Sequence, residues 1–174
     1  MKDLDKTYSV EFQPEEADIK VGGASYFLMR REAYCLLYKE MASIIGRGAE
    51  AILFRAGYER AKEFYATSPT SLGSQDPDDI VEAAKFLSSR LGLYRVLSFT
   101  LNPSSRTAEL VVDRSFEVCE GHPSTGSRCH YTRGFWAGLV EEMLGGDISI
   151  IGKEPECQGT GDEHCRFEFS VLPI

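Results

Sequence analysis

The chain is short of basic charge. Its 174 residues carry 19 Lys and Arg against 27 Asp and Glu, a net charge of −8. Its only tight basic pair is Arg30-Arg31. A phosphate backbone needs a basic patch, so the reading is no nucleic acid partner. Adsorption to an anionic membrane surface is set aside on the same ground. Long apolar runs are lacking as well, and none approaches the ~20 residues of a membrane span. The opening Met1-Lys2-Asp3-Leu4-Asp5-Lys6 lacks the apolar core of a secretory signal. The expectation is a cytoplasmic protein. Enzymatic signatures are also missing: there is no Gly-rich dinucleotide fingerprint, Walker loop, H-E-x-x-H or G-x-S-x-G. No catalytic residue is assigned.

What is present is an ordinary globular composition, 43% hydrophobic and 26% charged. A chain of this length buries roughly 70% of its unfolded surface and needs no disulfide to make up for a thin core. The five cysteines are Cys35, Cys119, Cys129, Cys157 and Cys165. In a reducing compartment they are expected as free thiols. Clustered thiols there point to metal or catalysis before disulfides. Cys35 lies among Tyr34, Leu36 and Leu37 on a helical stretch, and Cys119 ends a strand-like run. Both read as packing residues.

Residues 1–24 are polar and poorly patterned and read as a tail or edge element. Residues 25–174 read as one domain. Helical spacing runs over 31–45, with Tyr34, Leu37, Tyr38, Met41, Ile44 and Ile45 on one side. A second helix covers 49–66, followed by a polar loop from Thr67 to Gln75. A third opens on Asp76-Pro77-Asp78-Asp79, a capping residue, a first-turn proline and acids that suit the positive helix end. Period two takes over at Leu93–Phe99 and again at Ala108–Cys119, across the turn Asn102-Pro103-Ser104-Ser105. Cys129–Leu144 returns to helical spacing. Two last strands follow, with Ile150, Gly152 and Glu154 on one face of the first and Cys165, Phe167, Phe169 and Val171 on one face of the second.

The sharpest local feature is Glu154-Pro155-Glu156-Cys157-Gln158-Gly159-Thr160-Gly161-Asp162-Glu163-His164-Cys165. Two thiols end a loop carrying two glycines. Alternation aims Glu154 and Cys165 into the core, where an unpaired charge is costly. Cys129, at a helix start, supplies a third thiol. Three thiols and a carboxylate make a closed shell that suits zinc. Inert core thiols are the competing reading. His122, His130 and His164 are alternative ligands that also fit loop or cap positions. On helix 129–144, Gly134 and Gly138 clear one face for a backbone or a flat ligand, beside Tyr131, Phe135 and Trp136.

The run Cys129-His130-Tyr131-Thr132-Arg133-Gly134-Phe135, followed by Glu154-x-x-Cys157, Gly159-x-Gly161-Asp162 and Cys165-Arg166-Phe167, resembles the 4-vinyl reductase domain family. Ile52-Leu53-Phe54-Arg55-Ala56-Gly57 is similar to its second-helix segment. The resemblance implies an α+β fold, helices packed on an antiparallel sheet, shared with TRAPP subunits and haem-based nitric oxide sensors. It implies a sensory module for phenol- or toluene-like molecules, and Zn²⁺ held by Cys129, Glu154, Cys157 and Cys165. The expected ligand site comprises Phe135, Trp136, Gly134, Gly138, Tyr38 and Tyr131. A homodimer and a downstream protein partner are expected with it. Two alternatives stand beside this reading: an accessory factor or enzyme of tetrapyrrole vinyl reduction, and a structural tether similar to TRAPP subunits.

Overall fold

The structure, a computed structural model, describes residues 3–119 and 126–172. His122 lies outside the described residues. Two antiparallel sheets and five helices are present among those described.

The amino-terminal stretch is more ordered than its polar composition suggested. A short helix α1 (Leu4–Thr7) precedes β1 (Val10–Gln13), β2 (Asp18–Val21) and β3 (Ala24–Tyr26), which form a three-stranded meander. Tyr8 and Val21 are buried in the main core, and Tyr8 packs near Phe86 with ring centroids 6.3 Å apart. Strands of three or four residues are too short to show a clear period.

α2 (Arg31–Ile45) matches its expected bounds. Its burial does not match. None of its residues is fully buried, and Leu36, Leu37, Ile44 and Ile45 face solvent. α3 (Gly48–Leu72) runs through most of the expected polar loop, with Pro69 inside it. Phe64, Ser68 and Leu72 are buried four residues apart, so the inward stripe continues past the proline. Thr67 Oγ1 donates to the Glu63 carbonyl at 2.8 Å nearby. Anchoring Leu72 in the core outweighs a missing N–H that costs about 3 kcal/mol in an isolated helix. α4 (Pro77–Arg90) starts as read: the Asp76 carboxylate accepts from the Asp78 N–H at 3.0 Å.

The main sheet has the order β4 (Arg95–Asn102), β5 (Thr107–Asp113), β7 (Cys165–Val171), β6 (Ile150–Glu156), all antiparallel. Ala108, Leu110 and Val112 pair with Phe169, Phe167 and Cys165, and all six are buried. Helix α5 (His130–Met143) lies between this sheet and α3. β5 ends earlier than its hydrophobic alternation suggested. Arg114 adopts a left-handed φ of 55°, which ends the strand and re-aims residues 114–119 as a strap across the start of α5.

Candidate metal centre

The strap, the start of α5 and the β6–β7 hairpin meet at one point. Cys129 is the residue before the first turn of α5. Cys157 opens a 3-10 turn over Gln158–Thr160, and Cys165 begins β7. Glu154 comes from a bulge. Lys153 pairs with Glu168 and Glu156 with Arg166, so Glu154-Pro155 on β6 faces the single residue Phe167 on β7.

The three sulfurs and a Glu154 oxygen all lie within 4.8 Å of one another. Cys129 Sγ and Cys165 Sγ are 3.6 Å apart. Two thiolates on one tetrahedral zinc would stand roughly 3.8 Å apart, given bonds of about 2.3 Å. All three cysteines are buried. The Cys129 N–H donates to Glu154 Oε2 at 3.0 Å, while the other oxygen, Oε1, is buried without a hydrogen-bond partner. A buried oxygen with no partner beside three thiols is the donor set a cation would complete. The cluster can therefore hold a metal ion. Neither His130 nor His164 belongs to it.

Backbone amides supply much of the compensation for negative charge here. Gln158 N–H points at Cys165 Sγ at 3.3 Å, and Gly159 N–H at Cys157 Sγ at 3.4 Å. Asp162 and Thr160 brace the turn: Asp162 Oδ2 accepts from Cys157 N–H at 2.8 Å, and Thr160 Oγ1 donates to the Cys157 carbonyl at 2.7 Å. Arg166, named in the sequence as a counter-charge, instead faces Glu109, Glu156 and Glu168. Burial, then the charge of Cys157, pushes the Glu154 carboxyl up to about 9. Hydrogen bonds from Cys129 and then Cys165 hold the Cys157 thiol far below its usual range. Without a cation the cluster shares protons, and metal binding would release them.

The two glycines of α5 serve helix packing. A methyl at Gly134 would lie 2.0 Å from the Phe54 carbonyl oxygen, and one at Gly138 would lie 2.6 Å from that of Tyr58. On α3, a methyl at Gly57 would lie 2.1 Å from the Tyr131 carbonyl oxygen. Of the two uses the sequence left open for that face, the structure shows the backbone one. Glu141 of α5 adds a polar clasp, bound by Tyr58 and by Lys62 Nζ at 3.1 Å.

The aromatic candidates fall into two groups. Phe135 and Trp136 join a ladder from Phe64 on α3 (5.9 Å from Phe135) to Phe99 on β4 (4.8 Å from Trp136). Trp136 is fully buried, and its Nε1–H donates to Tyr94 Oη at 3.0 Å. Tyr38 and Tyr131 lie instead around the start of α5, Tyr38 stacked on His130 at 6.0 Å and Tyr131 edge-on to Phe116 at the same distance.

Two features escaped the sequence reading. Glu117 is buried and caps α5: its carboxylate accepts from Tyr131 N–H at 2.8 Å and Thr132 N–H at 2.9 Å, and from the Tyr34 hydroxyl at 3.4 Å. In an unbroken strand it would have pointed outward opposite Phe116, and only the turn at Arg114 brings it in. Cys35 and Cys119 are joined in a disulfide rather than packed as free thiols. They are 84 positions apart, and no local spacing signals the pairing.

Helices on an antiparallel sheet, with a thiol-rich cluster fastening one helix start to the last hairpin, define an α+β domain of the type found in TRAPP and H-NOX proteins. Residues 109–171 match the family model of the 4-vinyl reductase domain, so the resemblance holds and this part of the chain belongs to that family. An uncharacterized protein of Methanocaldococcus jannaschii is 36% identical over 55 residues, 31% of this chain. The chain spans about a third of that relative's length, 33%. Among solved structures, the phenol-responsive sensory domain of the transcription activator PoxR superposes with a TM-score of 0.79 at 22% identity, over 97% of this chain and 88% of that one. A trafficking protein particle complex subunit 3 from Naegleria fowleri, covalently bound to palmitic acid, gives 0.54 at 13% identity, over 83% and 96%. An H-NOX protein from S. oneidensis gives 0.55 at 12% identity, over 86% and 77%. These likenesses establish the fold. No helix among the described residues is long and apolar enough to cross a membrane.

Proposed function

We propose that this chain is a zinc-containing small-molecule-binding module of sensor type, taking an apolar or aromatic ligand in the cytoplasm. The observation that carries the reading is the Cys129, Glu154, Cys157 and Cys165 cluster with its partnerless buried oxygen. It occurs in a chain whose fold follows, almost end to end, that of a phenol-responsive sensory domain. Zinc bound there is structural, because all four positions come from protein and none is left for an activated water. Cys129 ties α5, Cys157 and Cys165 tie the hairpin, and Glu154 braces the Cys129 amide.

The ligand wall in this reading is the ladder of Phe135 and Trp136. Tyr94 and the Trp136 indole form a buried polar pair within it. A hydroxyl such as that of a phenol can replace either partner, while the rings Phe64 and Phe99 receive its apolar face. Tyr38, Tyr131 and the α2 surface then pass the bound state to a second copy and to a downstream protein. A tether-like reading has one observation in its favour: Trp136 fills its site and its N–H is already paired. A side-chain-filled interior needs no ligand.

Elemental analysis and native mass spectrometry of protein purified without added metal test the first part. One zinc per chain is expected, and it should be lost in Cys157→Ser and weakened in Glu154→Gln. Retention of full zinc in a Cys157→Ser, Cys165→Ser double variant places the metal elsewhere. Phenol and alkylphenols should quench or shift Trp136 emission saturably and raise the melting temperature. If neither changes across the panel and no ligand copurifies, the tether reading replaces the sensor reading.

A further inference from the structure

We propose that the Cys35–Cys119 bond is a thiol–disulfide exchange site, and that its reduction by a dithiol releases α2 from the rest of the fold. The two cysteines sit 5.8 Å apart at Cα, within the span of a disulfide, and both are half-buried rather than enclosed. The thiols of Cys129, Cys157 and Cys165 are fully enclosed. An incoming thiol thus meets the Cys35–Cys119 sulfurs first.

Little else holds α2. It contains no buried residue, and its start has no side-chain cap. Its inward stripe offers Arg31 to the carbonyls of Gly92 and Arg114 at 3.1 and 3.2 Å, Tyr34 to Glu117, and Tyr38 to His130 Nε2 at 3.4 Å. The outward side is apolar and exposed. Unlike these hydrogen bonds, the covalent bond does not compete with water.

The bond also reaches further than α2. Cys119 ends the strap 114–119, in which the Arg114 N–H donates to Gln158 Oε1 at 2.9 Å, Ser115 Oγ lies 3.3 Å from Cys129 Sγ, and Glu117 caps α5. Opening it frees the end of a segment that touches both the hairpin turn and Cys129.

The step balances as ordinary exchange. A thiolate of the dithiol attacks one sulfur of the bond, and the other cysteine leaves as thiolate and takes a proton. The second thiol of the reductant then attacks the mixed disulfide and expels the first cysteine. Two electrons and two protons pass to the protein, and the reductant ends as a disulfide. Neither zinc nor the aromatic ligand enters this chemistry, so it stands or falls apart from the sensor reading.

The full-length protein is treated natively with millimolar dithiothreitol, alkylated with iodoacetamide and mapped by peptide mass spectrometry, with hydrogen exchange run on both states. Labelling is expected at Cys35 and Cys119 only after reduction, and amides of residues 31–45 should exchange about tenfold faster or more, while those of β5 and β7 hold. A Cys35→Ser, Cys119→Ser variant should show the fast pattern with or without reductant. Three results overturn the proposal: free thiols at both positions before reduction, a bond that opens only in denaturant, or α2 exchange that is unchanged once the bond is open.

Discussion

A fully buried carboxylate that caps a helix serves two opposed demands. Glu117 gives α5 two acceptors for its unpaired N–H groups, and an ionised carboxylate does this best. Its burial favours the neutral acid and pushes its pKa up to about 7, against the pull of the Thr132 and Tyr131 amides. A carboxyl with a folded pKa above its ordinary 4.5 holds its proton more tightly in the folded state. That contribution is whole below about 4.5 and is lost as pH rises through about 7. Over this range the wild type should lose up to about 3 kcal/mol that a Glu117→Gln variant does not lose. Urea unfolding of both proteins at pH 5, 6 and 7 measures the difference, and parallel profiles would refute it. The four cluster residues were legible at this scale because thiols and a lone inward carboxylate stand out in any sequence. Glu117 was not, because its role depends on one left-handed backbone angle at Arg114.

Between elements, the tightest fit is α3 against α5. Gly57 and Gly134 each sit where a methyl group would meet a carbonyl oxygen of the opposite helix far inside van der Waals contact, at 2.1 and 2.0 Å. Two backbones this close cannot move apart without opening the sheet side of α5. Gly134→Ala should cost about 3 kcal/mol even though alanine favours a helix by ~1 kcal/mol. Gly48→Ala is the control, since its methyl would only touch the Ile45 side chain at 3.5 Å. Thermal melts should show a large drop for the first and almost none for the second. A Gly138→Leu variant is no ligand-blocking probe here, because it drives α3 and α5 apart. Periodicity located α2, α4, α5 and β7 nearly to the residue, since each repeats its pattern over several turns or pairs. It failed where a single proline argued against the continuation of α3, and where the strands of the meander are shorter than the period they would need to display.

At the scale of the whole molecule, the apolar surface is concentrated on one side. Phe27, Leu28 and Met29 before α2, Leu36, Leu37, Ile44 and Ile45 on it, and Ile52 on α3 are all exposed. A patch of this kind marks an interaction surface. The expected homodimer should bury it, and Leu28→Lys with Ile44→Lys should yield monomers with an unchanged circular dichroism spectrum. Light scattering that gives a monomer mass for the wild type at roughly tens of micromolar would exclude the dimer. The dimer was suggested by the surplus of apolar residues in 31–45, but their outward direction could not be read without the fold. The strand order has a consequence for biosynthesis. β7 lies in the middle of the sheet, between β5 and β6, although it is the last strand in sequence. On the ribosome, β4 and β5 emerge with an open edge that only residues 165–171 can close, a period of exposure to aggregation and to chaperones. Cys165 sits on that same strand, so a nascent chain cannot assemble the four-residue cluster before β7 leaves the exit tunnel. Metal loading is therefore an event of the finished chain, and the cluster acts as a check that synthesis has reached β7.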